Sequence, residues 1–354
     1  MVETQKIEIQ KIAKSRLSQV DFRDIPFGKV YADHMFLADF RDGDWKNLRV
    51  VPYGKMLVSP ATPAIHYGQS IFEGLKAYKN DQQEALVFRP LDNWKRMNIS
   101  AERMCMPYLP EDIFMEGIRT LLDLDRDWIP QTDGSSLYIR PFMFSADEYI
   151  GIRPSLDFTF MIINSPVGPY YSTPVKVRIE TKYTRASEGG TGFAKAGGNY
   201  GSSLYPAKVA LEQGYHQLIW TDSREHKYVE ESGTMNLMFI FDDTLVTPVL
   251  GDTILKGITR DSVLTLARHW GMKTEELKIS VEELVDGLQS GRVKEAFGAG
   301  TAATIAHIEL IGHEGKNYYL PPVETRKFSN RVLAELDGMK RGTREDSFGW
   351  IHTV

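Results

Sequence analysis

The sequence predicts an α+β protein of two mixed α/β domains, and three observations carry that prediction. Its 354 residues exceed what one ordinary hydrophobic core organises. Strand-like and helical runs alternate in both halves, yet hairpin signals recur among them, which favours α+β over a doubly wound parallel sheet. Three prolines and a glycine fall within 165–174, the best linker candidate in the chain. The predicted division is a smaller first domain over 1–164, a Pro-rich linker over 165–174 and a larger second domain over 175–354.

Taken in order, 29–38 and 85–88 read as strands, and 69–74 follows a turn at Pro63. Residues 90–99 read as a helix opened by proline, and 110–120 as an amphipathic helix running toward Leu121 and Leu122. Residues 137–140 and 158–163 are strands rich in β-branched and aromatic side chains. Beyond the linker, 175–182 alternates as a strand, and 202–212 is a helix closed by Gly214. Strands follow at 216–221 and 236–241, with Asp242 and Asp243 turning the chain into 245–247. A helix spans 260–270 with Gly271 at its end. Ser280 caps the helix 281–289, with Glu283 in the capping-box position. The last helix is expected at 324–336.

Composition narrows the function. A net charge of −5 argues against nucleic acid or an anionic membrane as partner, and no apolar run is long enough for a membrane helix. The N-terminal residues alternate polar and apolar without a signal-peptide core. The single cysteine, Cys105, reads as a small buried apolar residue, and the expected compartment is the cytoplasm. There is no G-x-G-x-x-G after a strand, no Walker loop and no His/Cys pairing at metal-ligand spacing, so no metal is expected.

Chemistry concentrates in a few blocks. Lys195 opens Lys-Ala-Gly-Gly-Asn-Tyr-Gly-Ser-Ser, with small neighbours that admit a bulky ring and no adjacent charge to pair it. Glu-Ser-Gly-Thr-Met-Asn follows at 231–236, with Glu230 as an equally placed acid. The segment Gly257–Arg260 opens a helix whose N–H groups suit an anion, and the small-residue turn 298–303 could act as a backbone nest. Arg96 and Arg140 offer fixed positive charge. Singly, each has an ordinary reading: an exposed loop lysine, a solvated acidic turn, common glycine loops, surface arginines. Together, a lysine, an isolated acid and hydroxyl-bearing turns suit pyridoxal phosphate, which needs an amine, a carboxylate for its ring nitrogen and donors for its phosphate.

In combination with His-Tyr-Gly-Gln-Ser-Ile-Phe-Glu-Gly at 66–74, Phe-Arg-Pro at 88–90, Leu-Tyr-Ile-Arg-Pro at 137–141 and Gly-Thr-Ala at 300–302, these blocks resemble the branched-chain-amino-acid aminotransferases, class IV of the pyridoxal-phosphate aminotransferases. The resemblance runs from about His66 to near the C-terminus. It implies fold type IV, with the cofactor in the cleft between two domains, and a homodimer whose partner completes part of the substrate wall. It implies that Lys195 forms the imine with pyridoxal 5'-phosphate and shuttles the proton. Tyr200 would bond the cofactor's phenolic oxygen, and Glu231 would face the pyridine nitrogen. Thr234 would lie beside the ring, while Arg96, Ile258, Thr259 and Thr301 hold the phosphate. Thr301 and Ala302 would bind the substrate carboxylate, with Tyr67, Phe72, Tyr138 and Arg140 lining the side-chain pocket. The implied reaction is ping-pong transamination of leucine, isoleucine and valine with 2-oxoglutarate. A D-amino-acid aminotransferase or an aminodeoxychorismate lyase on the same fold is the alternative, disfavoured by the blocks at 138–140 and 231–236. Two departures stand out. Ala-Thr-Ile-Ala at 303–306 replaces the redox-active Cys-x-x-Cys of mammalian members, and the loop 221–228 is one residue longer than in close relatives, so the choice of Glu231 over Glu230 rests on the motif.

Overall fold

The computed structural model describes residues 6–25, 27–171 and 173–354. The alternation read over 1–5, and Ser172 of the expected linker, lie outside them. Two compact units form. One takes the described residues up to Tyr170 together with Ala194–Gly198 and Gly338–Val354; the other takes Tyr171–Phe193 and Asn199–Asp337. Residues 165–167 of the expected linker are the end of the strand Phe158–Val167, still laddered to Ser136–Ser145. Pairing with His34–Arg41 stops at Ile163, so Pro166 sits where the ladder continues on one edge only, a place that tolerates a missing N–H.

Among the described residues, the first unit holds a nine-stranded, largely antiparallel sheet. Its central strands His34–Arg41, Phe158–Val167 and Ser136–Ser145 are flanked by Asp44–Pro52 on one side and by Leu75–Lys79, Ala85–Phe88 and Ile351–Thr353 on the other. The short strand Ser70–Phe72 also pairs with Ser136–Ser145. The helices Pro90–Arg103 and Glu111–Leu124 supply Met97, Phe114, Ile118 and Leu121 to the core, against Phe36, Phe160 and Ile162. Gly117 is required there, because a Cβ would run into Phe36 and Ile162. The expected strand 29–38 starts later, at His34, and runs on to Arg41. A two-residue turn at Asp42 and Gly43, both with positive φ, then returns it as Asp44–Pro52.

The second unit closes on itself. The strands Met235–Phe241, Val293–Gly300, Thr304–His313, Val175–Ile179, Gln217–Thr221 and Tyr228–Ser232 each pair with the next, and the last pairs back with the first. The Asp242–Asp243 turn joins Phe241 to Thr244 as expected, and Ser280 and Glu283 form the reciprocal capping box. The last helix is displaced from expectation: a 3-10 turn covers Val323–Thr325, and the α-helix is Phe328–Lys340. Its N-terminus is capped from a distant strand, since Glu295 accepts the N–H groups of Phe328 and Ser329 at 2.9 and 2.8 Å. Arg326 meanwhile stays extended, donating to the carbonyls of Pro321, Ala296 and Ile308. Cys105 is exposed, contrary to the sequence reading, because it sits with φ 53° in the turn that ends the Pro90–Arg103 helix. No helix among the described residues is long and apolar enough to cross a membrane.

Candidate active site

In the first unit, Lys195 is half-buried and its backbone is pinned on both sides. Its N–H donates to Ser100 Oγ at 2.9 Å, and its carbonyl accepts from the Phe72 N–H at 3.1 Å. Ala196 forms a bridge to Ile71, and a Cβ on Gly197 would strike Ser70 Oγ. The small residues after Lys195 thus let this segment lie against the strand Ser70–Phe72. Lys195 Nζ stands 4.9 Å from the centre of the Phe72 ring, and the Arg140 guanidinium stands 4.6 Å from the same ring. Arg140 also donates to Tyr138 Oη at 3.0 Å. Gly74 leaves room for the Tyr138 hydroxyl, which a Cβ would displace.

The reading that Lys195 lacks a charged neighbour holds only along the sequence. In space Glu73 answers it. This fully buried carboxylate takes Arg96 in a two-point pair, Nε to Oε1 at 2.8 Å and Nη2 to Oε2 at 2.7 Å. Burial pushes the Glu73 carboxyl up, but the charges of Arg96 and Lys195, with hydrogen bonds from Arg96 and Asn93, outweigh that and hold it below the usual range. Sequence reasoning assigned Glu73 no role, although it stands inside a quoted motif. Phe27 and Tyr170 were also missed: Phe27 packs edge-on to Tyr138 at 5.3 Å and to Tyr170 at 5.0 Å. Tyr67 is half-exposed and donates to the carbonyl of Ile150.

In the second unit, Glu231 lies opposite Asn236 across two adjacent strands. Its Oε1 is 2.9 Å from Arg185 Nε, and its Oε2 accepts the Leu255 N–H at 2.9 Å. Asn236 donates to the Leu255 carbonyl at 2.9 Å, and its Oδ1 fills the place a Cβ on Gly257 would need. Gly257 is the N-cap of the helix Ile258–His269, so Ile258 and Thr259 are its first residues. Arg260 secures that helix by donating to the Pro248 carbonyl and to Glu276. Thr234 lies in the turn beside the Thr301–Ala302 turn; a Cβ on Gly300 would lie 3.2 Å from the Thr234 carbonyl. Of the expected turn 298–303, Gly298 and Gly300 belong to the strand Val293–Gly300. Gly298 is there for packing, since Met235 covers it where a side chain would be. Tyr200 sits in the helix Gly197–Gly201, its carbonyl accepting from Ser203 Oγ at 2.8 Å.

Glu230 is buried as well. Thr253 donates to its Oε1 at 2.6 Å, while burial holds its carboxyl above the usual range despite the nearby Arg185. Arg185 was not foreseen; its only sequence signal is that a buried acid pair demands a cation.

The aminotransferase class IV family model matches residues 70–311. Branched-chain-amino-acid aminotransferase 2 of Bacillus subtilis is 40% identical over 97% of this chain and 96% of its own. The Escherichia coli branched-chain amino acid aminotransferase structure superposes with a TM-score of 0.73 at 27% identity, covering 90% of this chain and 98% of that one. The branched-chain amino acid aminotransferase from Thermobaculum terrenum, in its PLP-form, shares the fold, at TM-score 0.71 and 22% identity over 90% of this chain and 97% of that one. These likenesses identify the chain as a member of the branched-chain-amino-acid aminotransferases, within class IV of the aminotransferases.

Proposed function

We propose that the protein exchanges amino groups between leucine, isoleucine or valine and 2-oxoglutarate, with pyridoxal 5'-phosphate as cofactor. The observation that carries this is the setting of Lys195: a half-buried amine, pinned by its own backbone, near a buried carboxylate that also orients Arg96. The residues present fit the group. Gly257 and Asn236 shape a helix N-terminus that a Cβ would obstruct, which suits the phosphate together with Arg96, Ile258, Thr259 and Thr301. Glu231 suits the ring nitrogen, Tyr200 the phenolic oxygen, and Thr234 one side of the ring. When bound, the cofactor supplies an electron sink for the substrate's α-carbon.

The protein's own part is to bind and to move one proton. Lys195 Nζ takes the proton from the substrate Cα and returns it to the carbon that keeps the amino group. Thr301 and Ala302 hold the substrate carboxylate through backbone N–H groups. Phe72, Tyr138 and Tyr67 give apolar walls for a branched chain, and Arg140, fixed by Tyr138 and the Phe72 ring, serves the distal carboxylate of glutamate. A cytoplasmic homodimer completes the reading. The exposed apolar side chains of Ile65, Tyr67, Ile150 and Ile152 suit a face covered by a second copy. The test is spectroscopic. The visible band of the cofactor joined to Lys195 should vanish on adding L-leucine and return with 2-oxoglutarate. A band unmoved by leucine overturns the substrate assignment; no band with added cofactor overturns the reading.

A further inference from the structure

We propose that Glu73 is a positioning residue of this site: the shared counter-ion that fixes the Arg96 guanidinium for the cofactor's phosphate and ties it to Lys195. The proposal rests on the functional reading above and extends it to a residue that contacts neither substrate nor cofactor.

The geometry builds from one helix face. Asn93, Arg96 and Ser100 are spaced three and four residues apart on Pro90–Arg103, so they share a side of the helix, and all three are buried. Asn93 Nδ2 donates to Glu73 Oε2 at 2.7 Å, and the Gly74 N–H adds a bond to the same oxygen at 3.2 Å. Arg96 engages both carboxylate oxygens through its Nε–Nη2 edge. A two-point pair sets the plane of a guanidinium as well as its position, which one hydrogen bond does not. Nη1 is thereby held on the edge away from the carboxylate. Ser100 Oγ accepts the Lys195 N–H and donates to the Arg96 carbonyl at 3.1 Å. Phe72, the residue before Glu73, holds the Lys195 carbonyl. The backbone of Lys195 is therefore tied to the same two segments that carry Arg96 and Glu73.

The experiment compares wild type, Glu73→Gln, Arg96→Gln and the double variant, each as the full chain freed of cofactor. Pyridoxamine 5'-phosphate, which forms no covalent link to Lys195, is titrated against tryptophan fluorescence, with phosphate-free pyridoxamine as the control. The expected result is that Glu73→Gln weakens pyridoxamine 5'-phosphate binding about ten-fold or more, that the double variant is no worse than Arg96→Gln alone, and that pyridoxamine binding is unmoved. Wild-type affinity in Glu73→Gln overturns the proposal, as does a double variant whose loss is the product of the single fold-losses. Equal weakening toward pyridoxamine also overturns it, because that marks a merely structural role. Should Glu73→Gln not fold, Glu73→Asp keeps the charge but withdraws it by one methylene, and unchanged phosphate-dependent binding there overturns the proposal equally. A wild type that ignores pyridoxamine 5'-phosphate removes the functional reading, and the positioning role with it.

Discussion

The surroundings of Lys195 and those of Glu231 are built on opposite charge plans. Around Lys195 one buried carboxylate, Glu73, is shared by Arg96 and the lysine itself. Around Glu231 one buried guanidinium, Arg185, is shared by Glu231 and Glu230. The consequences show in the acids. Two cations hold Glu73 below the usual carboxylate range in spite of full burial, while burial pushes Glu230 above it, with Thr253 and Arg185 opposing and Glu231 adding to the rise. Burial pushes both acids up; two cations with hydrogen bonds outweigh it at Glu73, and Thr253 with Arg185 does not outweigh it at Glu230.

The largest expected effect breaks the first plan at its centre. Lys195→Ala removes the amine that moves the proton, and turnover should fall by about a thousand-fold or more; a variant with wild-type kcat would end the mechanism. Glu231→Gln tests the second plan. Turnover should drop roughly a hundred-fold while the melting temperature changes little, because the amide still accepts the Leu255 N–H. Arg185→Gln should be a stability variant, losing about 3 kcal/mol by denaturant unfolding, since it leaves two buried acids without their cation. Combining it with Glu230→Gln should restore part of that loss.

The smallest effect sharpens the comparison by pH. The Glu230 carboxyl is raised in the folded state, so its contribution is fully present below the ordinary glutamate value and is lost as pH rises through the folded value. Glu230→Gln should therefore gain stability relative to wild type over the window that opens as pH rises above the ordinary glutamate value of about 4.3. A flat difference across that window would mean the acid is not held up by burial.

Local chemistry was legible in the sequence, and distant partnership was not. The capping box of Ser280 and Glu283 and the proline that opens the 90–103 helix lie within a few residues of what they control. The start of the Phe328–Lys340 helix was misread because its cap, Glu295, comes from another strand. The strand Asp44–Pro52 was passed over although Asp42–Gly43 is a hairpin signal, its alternation being obscured by Asn47 in a positive-φ kink. Lys195 and Glu231 stood out through their neighbours. Glu73 and Arg185 did not, since a counter-ion is chosen by the folded chain and leaves no trace in spacing.

The pairing of Ile351–Thr353 with Ala85–Phe88 has a consequence for synthesis. The first unit also needs Ala194–Gly198, so the strand edge that holds Lys195 stays incomplete while the intervening chain is being made. During translation, the unit that begins first is finished only after residues 351–353 have left the ribosome. A fragment stopped near Tyr170 would carry an open sheet edge at Ala85–Phe88, and chaperones would meet it as an aggregation-prone nascent chain.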